Sequence, residues 1–346
     1  MPEAQRAIWE ADDVASLRQL VEATRVAQVI YVAAELGLPD LLQDGPRSVE
    51  ELAGATHTHE PSLRRLMRAL AALDMVMFAP DGQIALTSLG NALRSETHHQ
   101  VHLQARVQLG EPCWRPWGQL IDSVRTGESA FQHVFGMSKW EYDASHPQFS
   151  ALFNGWMSAI SQHHQEAILA AYDFSHFGTL VDVGGGHGQL LQAILRVTPR
   201  LRGVLFDQPH VVQGTMEVLS DAGLTGRYRT AGGNFFDAVT PGADAHLLKF
   251  IIHDWDDEHA LAILQNVHEA MAPGGTILLI EQILGEDGSL EICEAIADLN
   301  MLVMLQGKER TPTEFQALFE AAGFLRMRLV ATDSGVRIIE GMRDRT

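Results

Sequence analysis

Apolar residues early in the chain recur at helical spacing, at Val14, Leu17, Leu20, Val21, Val29, Ile30 and Leu36, and Gly37-Leu38-Pro39 closes the run. The pattern predicts an amphipathic helix. Ser48-Val-Glu-Glu51 has the spacing of a capping box that opens a short helix. Glu60-Pro61-Ser62 opens a second, which carries Leu63, Leu66, Leu70 and Leu73. Met75-Val-Met-Phe-Ala, a Pro80-Asp81-Gly82 turn and Ile84-Ala-Leu86 then read as a hairpin. Residues 98–176 are rich in helix formers and hold Trp114, Trp117, Phe131, Phe135, Phe149 and Trp156, for which helical core is the default account. Beyond Phe177 short apolar runs alternate with helical stretches: Leu180-Val-Asp-Val183, Gly203-Val-Leu-Phe206, Ala245-His-Leu-Leu-Lys249 and, after a Pro273-Gly274-Gly275 turn, Thr276-Ile-Leu-Leu-Ile280. Such alternation predicts parallel strands with crossover helices.

Helix, helix, hairpin is a winged-helix arrangement, which in many proteins reads DNA, and the second helix does hold Arg64, Arg65 and Arg68. Charge tips the balance the other way. The 346 residues carry 25 Lys and Arg against 44 Asp and Glu, a formal net charge of −19, which repels nucleic-acid phosphates and anionic lipid. We therefore expect a packing or dimerisation module, with neither nucleic acid nor membrane as partner. A hydrophobic fraction of 46% over this length supports more than one domain. Met1 to Asp13 has no signal-peptide core, no run reaches transmembrane length, and Cys113 and Cys293 are too few for a disulfide framework or a zinc site. A reducing cytoplasm is the expected compartment.

Asp182-Val-Gly184-Gly-Gly186-His-Gly188 follows an apolar strand and opens the helical pattern Leu190, Leu191, Ile194, Leu195. Glycines there let backbone approach a ligand, and a helix start supplies unpaired N–H groups. A dinucleotide fingerprint would need glycine at 189, where this chain has Gln189. With its third glycine at 188, the loop instead resembles the first motif of the Rossmann-like methyltransferases, in which it takes the amino-acid end of S-adenosyl-L-methionine, the methyl donor that leaves as S-adenosyl-L-homocysteine. Asp207, at the end of the next strand and about 20 residues on, is placed to accept the ribose hydroxyl protons. Gly233-Asn234-Phe235-Phe236 ends what reads as the third strand, where an amide and a ring can meet adenine. Members of that family usually have Asp where this chain has Asn234, so the contact loses its charge assistance.

His253 stands in Phe250-Ile-Ile-His253-Asp254-Trp255-Asp256-Asp257-Glu258, just past a parallel strand, where such sheets place their chemistry. Together with the glycine motif and Gly307-Lys308-Glu309-Arg310-Thr311, it makes the chain, from about residue 15 to 340, resemble the plant and bacterial small-molecule O-methyltransferases of the caffeic-acid type. The resemblance implies an α/β Rossmann-like methyltransferase domain, mostly parallel sheet with helices on both faces, at 177–346. It implies a helical linker and substrate lid at 101–176 and an N-terminal, mainly helical, winged-helix-like dimerisation domain at 1–100 that makes a homodimer.

It further implies His253 as general base, flanked by Glu281 and Glu309, without a metal. A phenol titrates near 10 and an imidazole near 6.5, so a free imidazole suits the task at neutral pH. Asp298, Asn300, Met301 and Met304 lie on a segment that lines the acceptor pocket in this family, although core filling explains the methionines equally well. Trp140, Phe153 and Met157 fall where relatives touch the cofactor. Met157, with Lys249 and Trp255, is assigned to the cofactor, and Trp140 and Phe153, with Asp254, to the acceptor. The expected acceptor is a phenolic or enolic hydroxyl of a specialised metabolite. Two other readings stay open: a pocket that uses the same cofactor for decarboxylation, hydroxylation or a pericyclic step, and a ligand-sensing DNA-binding regulator.

Overall fold

The computed structural model describes residues 13–97, 100–213, 215, 224, 226–286 and 292–345. The chain divides into two compact units, Met1–Arg115 with His146–Trp156, and Pro116–Ser145 with Met157–Thr346.

In the first unit the predicted helix spans Asp13–Glu35, buries Ala33 and Ala34, and leaves Val14, Leu17, Leu20 and Val21 exposed. Both halves of the Ser48 capping box form at the start of the helix Val49–Thr56. The helix Glu60–Ala72 turns Leu63, Met67 and Leu70 inward, an i, i+4, i+7 stripe that packs with Leu52, Met75 and Ile84. Strands β1 (Val76–Phe78) and β2 (Ile84–Leu86) pair antiparallel as the hairpin. The basic face of Glu60–Ala72 is partly spoken for. Arg64 is held by Glu60 at 2.6 Å and Glu50 at 2.7 Å.

The second unit is built on strands β3 (Thr179–Val183), β4 (Arg202–Asp207), β5 (Tyr228–Gly232), β6 (Ala245–Lys249), β7 (Thr276–Glu281), β8 (Leu325–Ala331) and β9 (Arg337–Met342). They form a seven-stranded sheet in the order β5-β4-β3-β6-β7-β9-β8. β3 to β7 run parallel, and β9 lies antiparallel between β7 and β8. Successive residues of the central strands enter opposite cores: Leu180, Leu247 and Leu278 pack on one face, Val181, Leu248 and Ile277 on the other. Burial on both faces is why these strands read as unbroken apolar runs. β8, at the edge, is mostly exposed and lacks that signal, and its pairing with β9 shifts register between Leu325 and Arg328. Strand order reverses between β3 and β6, so the carboxyl ends of those two strands frame the crevice where open α/β sheets bind ligands.

Candidate functional site

The glycine loop leaves the carboxyl end of β3 with Gly184, Gly186 and Gly188 at φ of +69°, +56° and +73°, a backbone region that L side chains rarely adopt. At Gly184 a Cβ would also lie 2.5 Å from Ile251 Cδ1, so the end of that side chain would have to move. At Gly186 a Cβ would meet no atom within 4 Å, so the backbone there faces open space. Its N–H points at Asp207, whose Oδ2 accepts it at 2.8 Å while Oδ1 accepts from Gln208 N–H at 2.7 Å. Burial raises the Asp207 carboxyl, and the two backbone donors pull it back. Asp182 is buried beneath the loop and is pushed up to about 7, mainly by burial and further by Asp207, with the Lys249 cation opposing.

Lys249 ends β6. Its Nζ donates to Ser161 Oγ at 2.9 Å and sits 4.2 Å from the centre of the Phe250 ring. Burial lowers its ammonium to about 8 despite the pull of Asp182 and Glu281. Phe235, Phe236 and Trp255 form an edge-to-face cluster, with Phe236 and Trp255 centred 4.7 Å apart. The side chain of Asn266 holds the carbonyls of Phe235 and Phe236 at 2.8 Å each. Asn234 is exposed, and its Oδ1 accepts from Phe236 N–H at 3.1 Å. The oxygen thus shapes the turn, which leaves the amide NH₂ as the end able to meet a ligand.

His253 lies in a single turn of 3₁₀ helix, Ile252–Asp254, that follows β6. Its Nδ1 is 2.8 Å from Glu309 Oε1, 3.7 Å from Glu281 Oε2, and its Nε2 is 3.4 Å from Asp254 Oδ1. An ionised carboxylate can only accept, so Nδ1 carries the hydrogen and Nε2 is the end left to take a proton. Glu281 could have been a surface carboxylate closing an apolar strand. It is instead wholly buried, with Oε1 accepting from the N–H groups of Ile251 at 3.1 Å and Ile252 at 2.9 Å. Asp298 Oδ1 accepts from Glu309 N–H at 2.9 Å and so holds the residue that holds His253.

The imidazole does not keep its ordinary affinity for protons: burial lowers it, but Glu281, Glu309 and Asp254 together outweigh burial and raise it to about 10. In turn burial raises Glu281 to about 7 and Asp254 to about 6, each partly offset by His253. Ligand-type atoms of His253, Glu281 and Glu309 all lie within 4.8 Å of one another. A proton on Nδ1 already satisfies the closest of these contacts.

Of the residues assigned to the acceptor, Trp140 stacks near Trp255 with centroids 6.4 Å apart, and both line a cavity of about 180 Å³ together with Lys139, His259 and Met304. Asn300 Oδ1 accepts from Trp117 Nε1 at 2.9 Å, and the Met301 carbonyl accepts from Gly307 N–H at 3.2 Å. Phe153 lies in the first unit, where its ring meets Trp156 edge to face, and Met157 is partly buried where the helix Pro147–Ala171 enters the second unit. Sequence reasoning missed Ser161 and the role of Phe250. Phe250 adopts φ +55° and stacks on His253 at 5.4 Å and 16° between planes, a strained backbone with no glycine to announce it.

Open backbone at Gly186 beside the carboxylate of Asp207, together with the ring cluster of Phe235 and Trp255, fits an adenosyl group bearing an amino-acid tail. The family comparisons agree. A model of the O-methyltransferase domain matches residues 117–325, and one of the O-methyltransferase dimerisation domain matches 18–95. The chain is 40% identical to a phenazine O-methyltransferase of Lysobacter antibioticus over 94% of both chains. Among solved structures, a mitomycin 7-O-methyltransferase is 37% identical with a TM-score of 0.91 over 98% of this chain and 99% of that one. An O-methyltransferase from neocarzinostatin biosynthesis, solved with S-adenosylmethionine and 2-hydroxy-5-methyl naphthoic acid, is 33% identical with a TM-score of 0.84 over 92% of this chain and 96% of that one. No helix among the described residues is long and apolar enough to cross a membrane. The chain belongs to the O-methyltransferase family of S-adenosylmethionine-dependent enzymes.

Proposed function

We propose that the enzyme methylates a phenolic or enolic hydroxyl of a small aromatic natural product, with His253 as general base and no metal. The observation that carries this reading is the 2.8 Å contact between His253 Nδ1 and Glu309, which leaves Nε2 as the proton acceptor, with buried Glu281 behind it. When bound, S-adenosylmethionine supplies an electrophilic methyl group. Asp207 takes the ribose hydroxyls, the Gly184–Gly188 loop with Asp182 and Lys249 faces the amino-acid end, and Asn234, Phe235, Trp255 and Met157 take the adenosyl face. Asp254, Asp298, Asn300, Met301, Met304, Trp140 and Phe153 serve the acceptor. His253 removes the hydroxyl proton as the oxygen attacks, and Glu281 and Glu309 balance the imidazolium that results.

The aromatic class of acceptor is supported by relatives named for phenazine and for naphthoate substrates. Residues 1–100 serve as dimerisation domain, 101–176 as linker and lid, and 177–346 as catalytic domain. A chain with only two cysteines, Cys113 and Cys293, suits a cytoplasmic location. Incubation with labelled S-adenosylmethionine and a library of phenols, read by mass, tests the reading. His253→Ala should leave S-adenosylhomocysteine affinity intact and cut turnover by roughly 10² or more, and a chelator should change nothing. Full turnover by His253→Ala, or loss in chelator that magnesium restores, would overturn the assignment.

A further inference from the structure

Arg310 is fully buried, and a buried guanidinium is costly unless its N–H groups are met. Here NH1 donates to the Ile252 carbonyl at 2.9 Å, NH2 to the Trp255 carbonyl at 2.8 Å, and Nε to Asp257 Oδ1 at 3.0 Å. The two carbonyls bracket His253, one residue before it and two after. The segment that carries Arg310 is applied to the same turn: Lys308 N–H donates to the His253 carbonyl at 3.0 Å. At Gly307 a Cβ would lie 2.1 Å from that carbonyl oxygen and 2.5 Å from the Asp254 carbonyl carbon, so only glycine allows the approach. Leu284 N–H donates to the Arg310 carbonyl at 3.1 Å, which ties the segment to the chain leaving β7 just beyond Glu281.

We infer that Arg310 is a positioning residue for methyl transfer: its planar fork grips the turn that bears His253 and fixes that turn in register with Glu309, the adjacent residue. The inference rests on the reading of His253 as base. It has a geometric basis that a general packing role lacks. Glu309 and Arg310 project from consecutive residues onto the imidazole and onto its supporting backbone, so displacement of one displaces the other. Lysine cannot replace the fork, because a single ammonium at the end of a flexible stem cannot span both carbonyls.

The test compares Arg310→Lys with Asp257→Asn, which removes the outer carboxylate and leaves the guanidinium on its two carbonyls. Three readouts are needed: kcat and KM with an acceptor, S-adenosylhomocysteine affinity by calorimetry, and the ¹⁵N titration of the His253 imidazole in the cofactor-free enzyme. Arg310→Lys should lower kcat by roughly tenfold to a hundredfold, with acceptor KM and S-adenosylhomocysteine affinity within about threefold of the parent. The imidazole midpoint should fall by roughly one pH unit or more as the bond to Glu309 loosens. Asp257→Asn should change each readout by less than about threefold, and the midpoint by less than about half a unit. An unchanged midpoint in folded Arg310→Lys would overturn the proposal. Equal losses in the two variants would also overturn it, since the pair with Asp257 would then be what matters. The titration needs no turnover, so full turnover by His253→Ala would sink the base assignment while leaving the positioning test to its own result.

Discussion

Glu281→Gln isolates the electrostatic grip on the base. The change is nearly isosteric, and the amide oxygen can still accept from the N–H groups of Ile251 and Ile252, so the fold should survive. What is lost is a negative charge 3.7 Å from His253 Nδ1. At an effective dielectric constant of about 20 that pair is worth about 4.5 kcal/mol, or about three pKa units. Glu281 titrates at about 7 and so is ionised throughout an imidazole titration near 10, which makes this full interaction the upper bound of the shift. The imidazole midpoint of the cofactor-free enzyme should therefore drop from about 10 by roughly one to three units. ¹⁵N NMR of the imidazole reads this directly. A lower midpoint leaves more neutral imidazole at pH 7 but a weaker base, so the acid limb of kcat/KM should move to lower pH while the plateau falls. An unmoved midpoint in a folded Glu281→Gln variant would refute the coupling.

Asp207→Ala removes the carboxylate beside Gly186 and should weaken S-adenosylhomocysteine binding at least tenfold by calorimetry, since two charge-assisted hydrogen bonds to ribose are worth about 1.5–3 kcal/mol each; unchanged affinity would reject the ribose assignment. His246, buried in β6 with Nε2 3.1 Å from the Thr240 carbonyl, is lowered by burial to about 4. Its contribution is present above the ordinary imidazole value and is lost as pH falls toward 4, about 3 kcal/mol in all, so urea unfolding at pH 7 and 4.5 should show His246→Leu losing much less stability than the parent. Leu17 and Val21, 60% and 68% exposed, offer an apolar stripe to a second chain. Replacing both with Asp should shift light scattering at micromolar concentration from the mass of two chains to that of one, and an unchanged mass would exclude this stripe from the interface.

The elements legible in the sequence are those whose burial is one-sided or complete. The Glu60–Ala72 stripe, the hairpin and the central parallel strands all carried a periodic or continuous apolar signal, and the Ser48 box formed as its spacing required. β8 and β9 were not foreseen. An edge strand with most side chains in solvent has no alternation to read, and β9 shows its place only through a pairing with β7 that is distant in sequence. Position along the chain singled out His253, just past a parallel strand, whereas Glu281 and Glu309 came from the family resemblance; Glu281 closes the neighbouring strand and Glu309 lies between two helices. Position said nothing of Phe250, Ser161 or Arg310, whose parts depend on backbone conformation and on contacts across the fold.

The raised imidazole and the proposed base fit together through charge. In the proposed reaction the bound cofactor would supply one positive charge as a sulfonium, and His253 would carry one as an imidazolium after taking the acceptor's proton, so the total charge of the crevice would be unchanged. A site lined by Asp182, Glu281, Glu309 and Asp254, against Lys249 and His253, is acidic enough to hold a cation at either place. Without the sulfonium, the proton on His253 is the cation at hand, and the carboxylates hold it tightly. A cationic cofactor, when bound in the same low-dielectric crevice, would oppose that proton and lower the affinity of His253 for it. Glu281, Glu309 and Asp254 would then stabilise the proton that His253 takes from the acceptor. On that proposal, the raised proton affinity of the resting imidazole is the counterpart of a base that would accept a proton only while another positive charge is lost.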